Sequence, residues 1–226
     1  MTEPADLFAA VAARLTVVRD RIEAAGGDPG RVRVVAVTKG FGPEHVEAAL
    51  AAGVDDIGEN YAAELLAKRA AVPDARVRWH FLGAIQRNKV ARLAPVVSWW
   101  HGVTRLEEGT AVARRQSGAS ALVEVDVTGL AGRRGCPPGE VGDLVAALVD
   151  HGVPVVGLMT VGAPGADERT RRGFAELRRL ADRLALPERS MGMSDDLELA
   201  VAEGATIIRV GRALFGDRPP LPGLAQ

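Results

Sequence analysis

The strongest constraint on the fold is an alternation of short β-rich runs with helical segments, which repeats eight times along the chain. The predicted strands are residues 32–38, 55–58, 78–82, 96–103, 121–127, 154–161, 190–193 and 206–210. This alternation is typical of parallel strands joined by helical crossovers. Eight such steps within 226 residues predict an α/β fold, a single (β/α)8 TIM barrel. A doubly wound open sheet is the alternative that shares this pattern.

An extra helix precedes the first predicted strand. Residues 6–25 carry apolar side chains at helical spacing, and a Gly-Gly-Asp-Pro sequence follows them. No linker, fixed repeat or low-complexity run interrupts the pattern after this helix. We therefore predict one domain over residues 1–226, with a core of about 7–216 and a flexible tail at 217–226.

Charge and cysteine content argue against several classes of protein. The net charge is −1, and no basic stripe indicates a nucleic-acid or membrane-surface partner. The N-terminal residues include acids and no long apolar run, which disfavours a signal peptide. The single cysteine, Cys136, cannot form an internal disulfide, and no base adjoins it to make it a nucleophile. These features predict a cytoplasmic protein.

A lysine follows the first predicted strand, at the end where barrels place their active sites. Lys39 comes directly after an apolar, β-branched run that is expected to be buried. Burial disfavours the ammonium form, lowers the pKa and exposes an amine that can attack a carbonyl group. The alternative is a lysine that simply extends into solvent.

Two turns after the seventh and eighth predicted strands have the features of a phosphate site. Ser194 lies in a glycine-containing turn that leads into a helix, and Gly211 and Arg212 lie at a second helix start. Backbone N–H groups at such starts bind phosphate in barrels. Ser194 also fits an ordinary helix cap. An amine beside a phosphate site fits either a pyridoxal phosphate protein or a class I Schiff-base aldolase.

Six groups of residues, in order over about residues 7–216, decide between these classes. They are Ala-Val-Thr-Lys at 36–39, Gly-Glu-Asn-Tyr at 58–61, Trp-His-Phe-Leu-Gly at 79–83 with Gln-Arg-Asn-Lys at 86–89, Gly-Leu-Met at 157–159, Ser-Met-Gly-Met-Ser-Asp-Asp at 190–196, and Arg-Val-Gly-Arg-Ala-Leu-Phe-Gly at 209–216. Together they closely resemble the YggS/PROSC family, the pyridoxal phosphate homeostasis proteins.

The resemblance implies a barrel like the N-terminal domain of alanine racemase and a bound pyridoxal 5′-phosphate. In that family the lysine matching Lys39 holds the cofactor as a covalent imine, and the arginine matching Arg209 faces the pyridine nitrogen. The positions of Ser194, Gly211 and Arg212 hold the phosphate, partly through the backbone. The remaining implied site residues map near the ring or the pocket wall, and they are Asn60, His80, Met159 and Ser190.

The sequence departs from the common family pattern at three places. Arg212 stands where threonine or serine is common, which matters only if the hydroxyl group is used. Gly-Arg-Arg-Gly at 132–135 stands where the family often has Lys-x-Gly, so the role of that lysine is not carried over to this chain. Trp-His-Gly-Val-Thr at 100–104 replaces His-Ser-x-Asp, so these residues receive no function.

The same residues predict a carrier rather than an efficient enzyme. An arginine at the pyridine nitrogen keeps that nitrogen unprotonated and weakens the electron sink. Racemases of this fold use a tyrosine from a second domain, for which this chain has no room, and its only tyrosine is Tyr61. We expect a monomer that buffers the cofactor and passes it to pyridoxal-phosphate-dependent apoenzymes. A racemase-like enzyme of low activity and the aldolase are the alternatives.

Overall fold

Eight short strands alternate with helices along residues 4–218, which are the residues that this computed structural model describes. The strands are β1 Arg33–Val37, β2 Asp56–Glu59, β3 Arg78–Phe81, β4 Val97–Val103, β5 Ser120–Glu124, β6 Val155–Met159, β7 Glu188–Ser190 and β8 Ile207–Val210. The helices are α1 Pro4–Ala24, α2 Pro43–Ala51, α3 Ala62–Ala71, α4 Arg87–Leu93, α5 Leu106–Ala113, α6 Val141–Asp150, α7 Glu168–Arg183, α8 Leu197–Ala202 and α9 Arg212–Phe215. A 3₁₀ turn, Pro138–Glu140, precedes α6.

The strands form a closed parallel barrel in which each strand pairs with its neighbours in chain order. Closure comes from β1 and β8, where Arg33 is opposite Ile207 and Ala36 is opposite Val210. This pairing confirms the predicted (β/α)8 barrel and excludes the open sheet, whose edge strands would remain unpaired. None of the helices in residues 4–218 is long and apolar enough to cross a membrane.

Two apolar clusters hold the barrel together. The larger one lies between the strands and the surrounding helices. A smaller one fills the barrel interior with Val35, Leu122, Met159 and Ile207. The alternation of buried residues along each short strand thus serves two cores, one on each face of the sheet.

The N-terminal helix packs against the outside of the barrel, as the sequence predicts. Its buried stripe is formed by Val11, Leu15, Val18 and Ile22. The helix contacts α2, α8 and α9, and therefore lies against the elements that carry the last two turns of the site.

The seventh strand differs from its prediction. The expected strand at residues 190–193 is instead Glu188–Ser190, because Gly192 takes a left-handed φ of 92° that no strand can continue. The carbonyl of Gly192 then accepts a hydrogen bond of 2.9 Å from the amide nitrogen of Arg209. Residues 191–193 therefore belong to the loop that leads from β7 into α8, and this loop contacts β8 through that hydrogen bond.

Candidate functional site

A cavity of about 690 Å³ opens at the carboxyl ends of the strands. Its volume is in the range of sites for small ligands. Seven of the predicted site residues line it, namely Lys39, Asn60, Met159, Ser194, Arg209, Gly211 and Arg212. The turns after the first, seventh and eighth strands, far apart in the sequence, thus meet in one space.

Lys39 lies in a tight turn two residues beyond the end of β1, rather than at the strand end itself. The turn is closed by a hydrogen bond of 3.0 Å from the amide of Phe41 to the carbonyl of Thr38. Burial lowers the pKa of the half-buried Lys39 amine, and the positive charges of Arg218 and Arg209 lower it further. The neutral, nucleophilic form of the amine is therefore favoured relative to an exposed lysine.

A buried ion cluster holds the Lys39 turn from behind. Lys68 on α3 donates to the Thr38 carbonyl at 2.6 Å and to Glu59 Oε1 at 2.5 Å. Glu64 accepts a hydrogen bond of 2.8 Å from the amide of Gly40. The sequence predicted Lys68 only as a helix residue. Its burial could not be predicted from its position in a helix, because a long lysine side chain can extend either into solvent or toward the barrel.

The chain after α9 also contributes to the cavity. Asp217 and Arg218 line it, and the aliphatic part of Arg218 lies beside Gly40. The first two residues of the predicted tail therefore form part of the site wall. Residues 219–226 lie outside the described residues.

We expect the charge of Arg218 to tune the reactivity of Lys39. Replacement by Arg218→Gln removes a positive charge and should raise the pKa of Lys39, so less of the amine is neutral near pH 7. The rate of Lys39 methylation by formaldehyde and borohydride, followed by mass spectrometry against pH, should show its inflection at higher pH. The matched control is Arg183→Gln, an exposed arginine at the end of α7. Equal profiles for both variants would contradict the assignment.

The two predicted phosphate turns meet through Ser194. Its Oγ accepts a hydrogen bond of 3.0 Å from the amide of Ala213, so its hydroxyl proton remains available to an anion. Within residues 4–218, the amide nitrogens of Gly211 and Arg212 donate to no backbone or side-chain acceptor. A Cβ atom at Gly211 would lie 3.1 Å from the carbonyl oxygen of Val37. A larger residue here would therefore have to push against β1.

The acidic residues of the Ser194 turn already have partners. Asp195 pairs with the guanidinium group of Arg212. Asp196 is buried and accepts a hydrogen bond of 2.6 Å from the amide of Met193. The Arg212 side chain, which replaces the family hydroxyl, therefore neutralises an acid at the cavity edge.

Arg209 brings a buried positive charge into the cavity. Its guanidinium donates to Ser190 Oγ and to the Thr160 carbonyl, both at 2.8 Å. Burial lowers the pKa of Arg209 to about 10, which still leaves it cationic at neutral pH. An arginine can donate hydrogen bonds but cannot accept them, so its cavity-facing side suits an acceptor such as an unprotonated ring nitrogen.

Two predicted wall residues lie below the cavity instead of lining it. Ser190 and His80 are both fully buried in the barrel interior. Ser190 contacts Arg209, and His80 pairs with His101 on β4 at 2.8 Å. No function was predicted for His101. The inward direction of the His101 side chain follows from strand alternation. Its pairing with His80 on β3 depends on the register between the two strands, which the sequence does not show.

A fourth arginine on the cavity wall, Arg134, was not predicted as a site residue. Arg134 donates to the Gly102 carbonyl at 2.8 Å and lies 3.4 Å from Glu124 Oε2 at the end of β5. Both residues line the cavity. Burial raises the pKa of Glu124, while the Arg134 charge opposes that effect. A cation thus stands in the loop where the family lysine was expected.

Tyr61 and Cys136 stay apart from the cavity wall. Tyr61 precedes α3 with 61% of its surface exposed. Cys136 is buried, and burial raises the pKa of its thiol, which favours the unreactive form. Neither side chain provides a nucleophile or base within the cavity.

Comparisons with known proteins identify the family of this chain. The family model described as alanine racemase, N-terminal domain, matches residues 8–219. A pyridoxal phosphate homeostasis protein of Pseudomonas aeruginosa is 40% identical, over 96% of this chain and 97% of that protein. The structure of PipY from Synechococcus elongatus with PLP bound is 32% identical, with a TM-score of 0.80, over 91% of this chain and all of that one.

An alanine racemase of Bacillus anthracis shares the fold alone, at 18% identity and a TM-score of 0.70. The match covers 95% of this chain but 57% of the racemase. By contrast, the match to two of the homeostasis proteins covers 97% of each of those proteins. This chain therefore belongs to the family of pyridoxal phosphate homeostasis proteins, within the group that shares the alanine racemase N-terminal domain.

Proposed function

We propose that this chain binds pyridoxal 5′-phosphate as a Schiff base on Lys39 and serves as a carrier or buffer in intracellular pyridoxal phosphate homeostasis. One observation carries the proposal. The half-buried Lys39 amine shares a single cavity with the Arg209 cation and with the Ser194 and Gly211 turns. The name of the relatives and the PLP-bound PipY structure support the same ligand.

The residues present fit each part of this ligand. The phosphate would be held by the Ser194 hydroxyl and the amides of Gly211 and Arg212, which have no other acceptor within residues 4–218. Arg218 adds positive charge at the same rim, while the charge of Arg212 is balanced by Asp195. Phosphate binding through backbone amides at a helix start is common in barrels.

The pyridine ring would lie between these phosphate-binding residues and Arg209. Asn60 and Met159 line this part of the cavity. Ser190 would act from below by holding Arg209, and His80 would act through His101. Of the residues predicted near the ring, two would therefore touch the ligand and two would position a residue that does.

Binding and release would exchange only water. The neutral Lys39 amine would supply the nitrogen of a C=N bond to the aldehyde carbon, its two protons would leave with the aldehyde oxygen as water, and hydrolysis by water would release the aldehyde again. Bound pyridoxal phosphate supplies a reactive carbonyl equivalent and an electron-withdrawing ring. Arg209 remains a hydrogen-bond donor, so it disfavours protonation of the ring nitrogen and weakens that electron sink. The site thus holds the aldehyde without strongly promoting reactions of amino acids.

A racemase-like activity would need a base on the far face of the ring. Tyr61, the only tyrosine, is exposed and does not line the cavity. Pyridoxal-phosphate-dependent apoenzymes are the recipients that fit a carrier. The cytoplasmic location and the monomeric state stay predictions.

Transfer to an apoenzyme tests the carrier role. Loaded protein is mixed with a pyridoxal-phosphate-dependent apoenzyme, and recovery of that enzyme's activity is followed beside free cofactor at equal concentration. We expect full recovery of activity, together with negligible exchange of amino-acid α-protons in D₂O by the loaded protein alone.

Two results would contradict the proposal. Rapid α-proton exchange would indicate an enzyme, and retention of the cofactor without any recovery would exclude a carrier. The control is the Lys39→Ala variant treated with cofactor and desalted, which should deliver nothing.

A further inference from the structure

A continuous chain of hydrogen bonds runs from the cavity into the barrel interior. Arg209 contacts Ser190 Oγ at 2.8 Å, and Ser190 Oγ contacts His101 Nδ1 at 3.0 Å. His101 Nε2 contacts His80 Nδ1 at 2.8 Å, and His80 Nε2 contacts Asp56 Oδ1 at 2.8 Å. All five side chains are buried. We refer to Asp56, His80, His101, Ser190 and Arg209 as the interior relay.

The two ends of the interior relay fix its direction. The Arg209 guanidinium can only donate, and the Asp56 carboxylate can only accept. Each imidazole therefore carries its proton on Nε2 and accepts on Nδ1, and the Ser190 hydroxyl donates to His101. The reverse direction would place an unprotonated His80 nitrogen against the Asp56 carboxylate, so that two acceptors would face each other.

The surroundings favour this one arrangement of protons. Burial would raise the pKa of Asp56, but hydrogen bonds from Arg78 and His80 outweigh it and lower that pKa. Burial lowers the pKa of both His80 and His101, so both rings stay neutral. Trp99 stacks on His80 with ring centroids 5.5 Å apart and planes 7° from parallel, which fixes the ring orientation.

We propose that His101 and His80 are positioning residues that hold Arg209 in one orientation toward the cavity through Ser190. The proposal rests on the proposed function only for the identity of the ligand. Besides Ser190, Arg209 has a second anchor in the Thr160 carbonyl, at 2.8 Å. When Ser190 is no longer held by the two histidines, the Thr160 carbonyl is the one fixed anchor of the Arg209 guanidinium, which can then rotate about that hydrogen bond. A ring nitrogen would then meet a less ordered donor.

The first test needs no cofactor. Protein with ¹⁵N-labelled histidine is examined by NMR at neutral pH, with resonances assigned by single substitutions. We expect His80 and His101 to show neutral rings protonated at Nε2. The Ser190→Ala variant removes the donor to His101 Nδ1 and should shift that nitrogen, while the Nε2–H of His80 persists. A ring protonated at Nδ1, or a charged ring, at either position in the wild type would overturn the proposal.

The second test uses the spectrum of bound pyridoxal phosphate. His101→Leu removes the hydrogen bonds that His101 makes with Ser190 and with His80, whereas His101→Gln retains one amide donor and one carbonyl acceptor. We expect His101→Leu to shift the visible band and weaken binding roughly tenfold to a hundredfold, the effect of one bond to a charged group. His101→Gln should restore much of the wild-type band position and affinity. His151→Leu, at the exposed end of α6, should change neither the band nor the affinity.

The outcomes separate the two proposals. A folded His101→Leu variant with the wild-type spectrum and affinity would overturn the positioning role. If wild-type protein shows no cofactor band at all, the proposed function fails, and the NMR result alone decides the interior relay. If His101→Leu does not fold, a His101→Gln variant without the wild-type band would likewise count against the role.

Discussion

Lys39→Ala should abolish covalent attachment of pyridoxal phosphate. Wild-type protein incubated with the cofactor and reduced with borohydride should carry one phosphopyridoxyl group on the peptide that contains Lys39. The variant should carry none and should lose the visible imine band. The reason is chemical, because alanine has no amine with which the aldehyde can condense.

The structure distinguishes Lys39 from the other two lysines of the chain. Lys68 is buried, and its Nζ lies against three acceptors, the Thr38 carbonyl and the carboxylates of Glu59 and Glu64. Lys89 is exposed on α4 and does not line the cavity. Of the three lysines, Lys39 alone lines the cavity, and burial lowers the pKa of its amine. We therefore expect a single modified site at limiting cofactor.

Two controls separate chemistry from charge. Lys39→Arg keeps the positive charge but forms no stable imine, so it should behave like Lys39→Ala in the mass spectrum. Lys89→Ala should retain the full label on the Lys39 peptide. A label found mainly on Lys89, with Lys39 unmodified, would refute the assignment.

The barrel itself could be predicted because its pattern is local. Each β-rich run and each helix is defined within a few residues, and eight repeats leave few ways to connect them. The ends of the strands were predicted less accurately. Gly192 could be read as a turn residue, but the sequence does not reveal that it takes a φ of 92° and ends β7 early.

The site residues that the sequence missed depend on contacts between distant segments. Arg218 lines the cavity because the chain returns past Gly40 after α9. Lys68 reaches Thr38 across 30 positions of sequence, and His101 reaches Ser190 across 89. Such pairings follow from barrel register and helix placement, which a single sequence does not encode locally.

The two turns of the predicted phosphate site, unlike the residues that were missed, could be recognised from local sequence. Ser194 and Gly211 could be proposed because glycine and hydroxyl residues before helix starts have a local signature. The two turns follow the neighbouring strands β7 and β8, and the hydrogen bond from Ala213 to Ser194 Oγ links them. The close approach of Gly211 to the Val37 carbonyl, in contrast, has no local signature in the sequence.

Pyridoxal phosphate should bind at least about a thousandfold more tightly than pyridoxal. Three hydrogen bonds to the dianion, from Ser194 and two backbone amides, contribute about 1.5–3 kcal/mol each, and about 4 kcal/mol is a factor of a thousand. Titration of the visible band with each aldehyde measures the ratio. Equal affinities would remove the phosphate site and, with it, the assignment of the cofactor.

Two variants locate this discrimination within the cavity. Ser194→Ala should reduce affinity for the phosphate form roughly tenfold to a hundredfold and leave pyridoxal nearly unaffected. Gly211→Val should reduce it more, because the added Cβ lies 3.1 Å from the Val37 carbonyl and its branches displace the amides of the turn. Ser120→Ala, at the opposite end of β5, is the matched control and should bind as the wild type does. If Ser194→Ala instead weakens both aldehydes equally, the turn supports the fold around Lys39 rather than the phosphate.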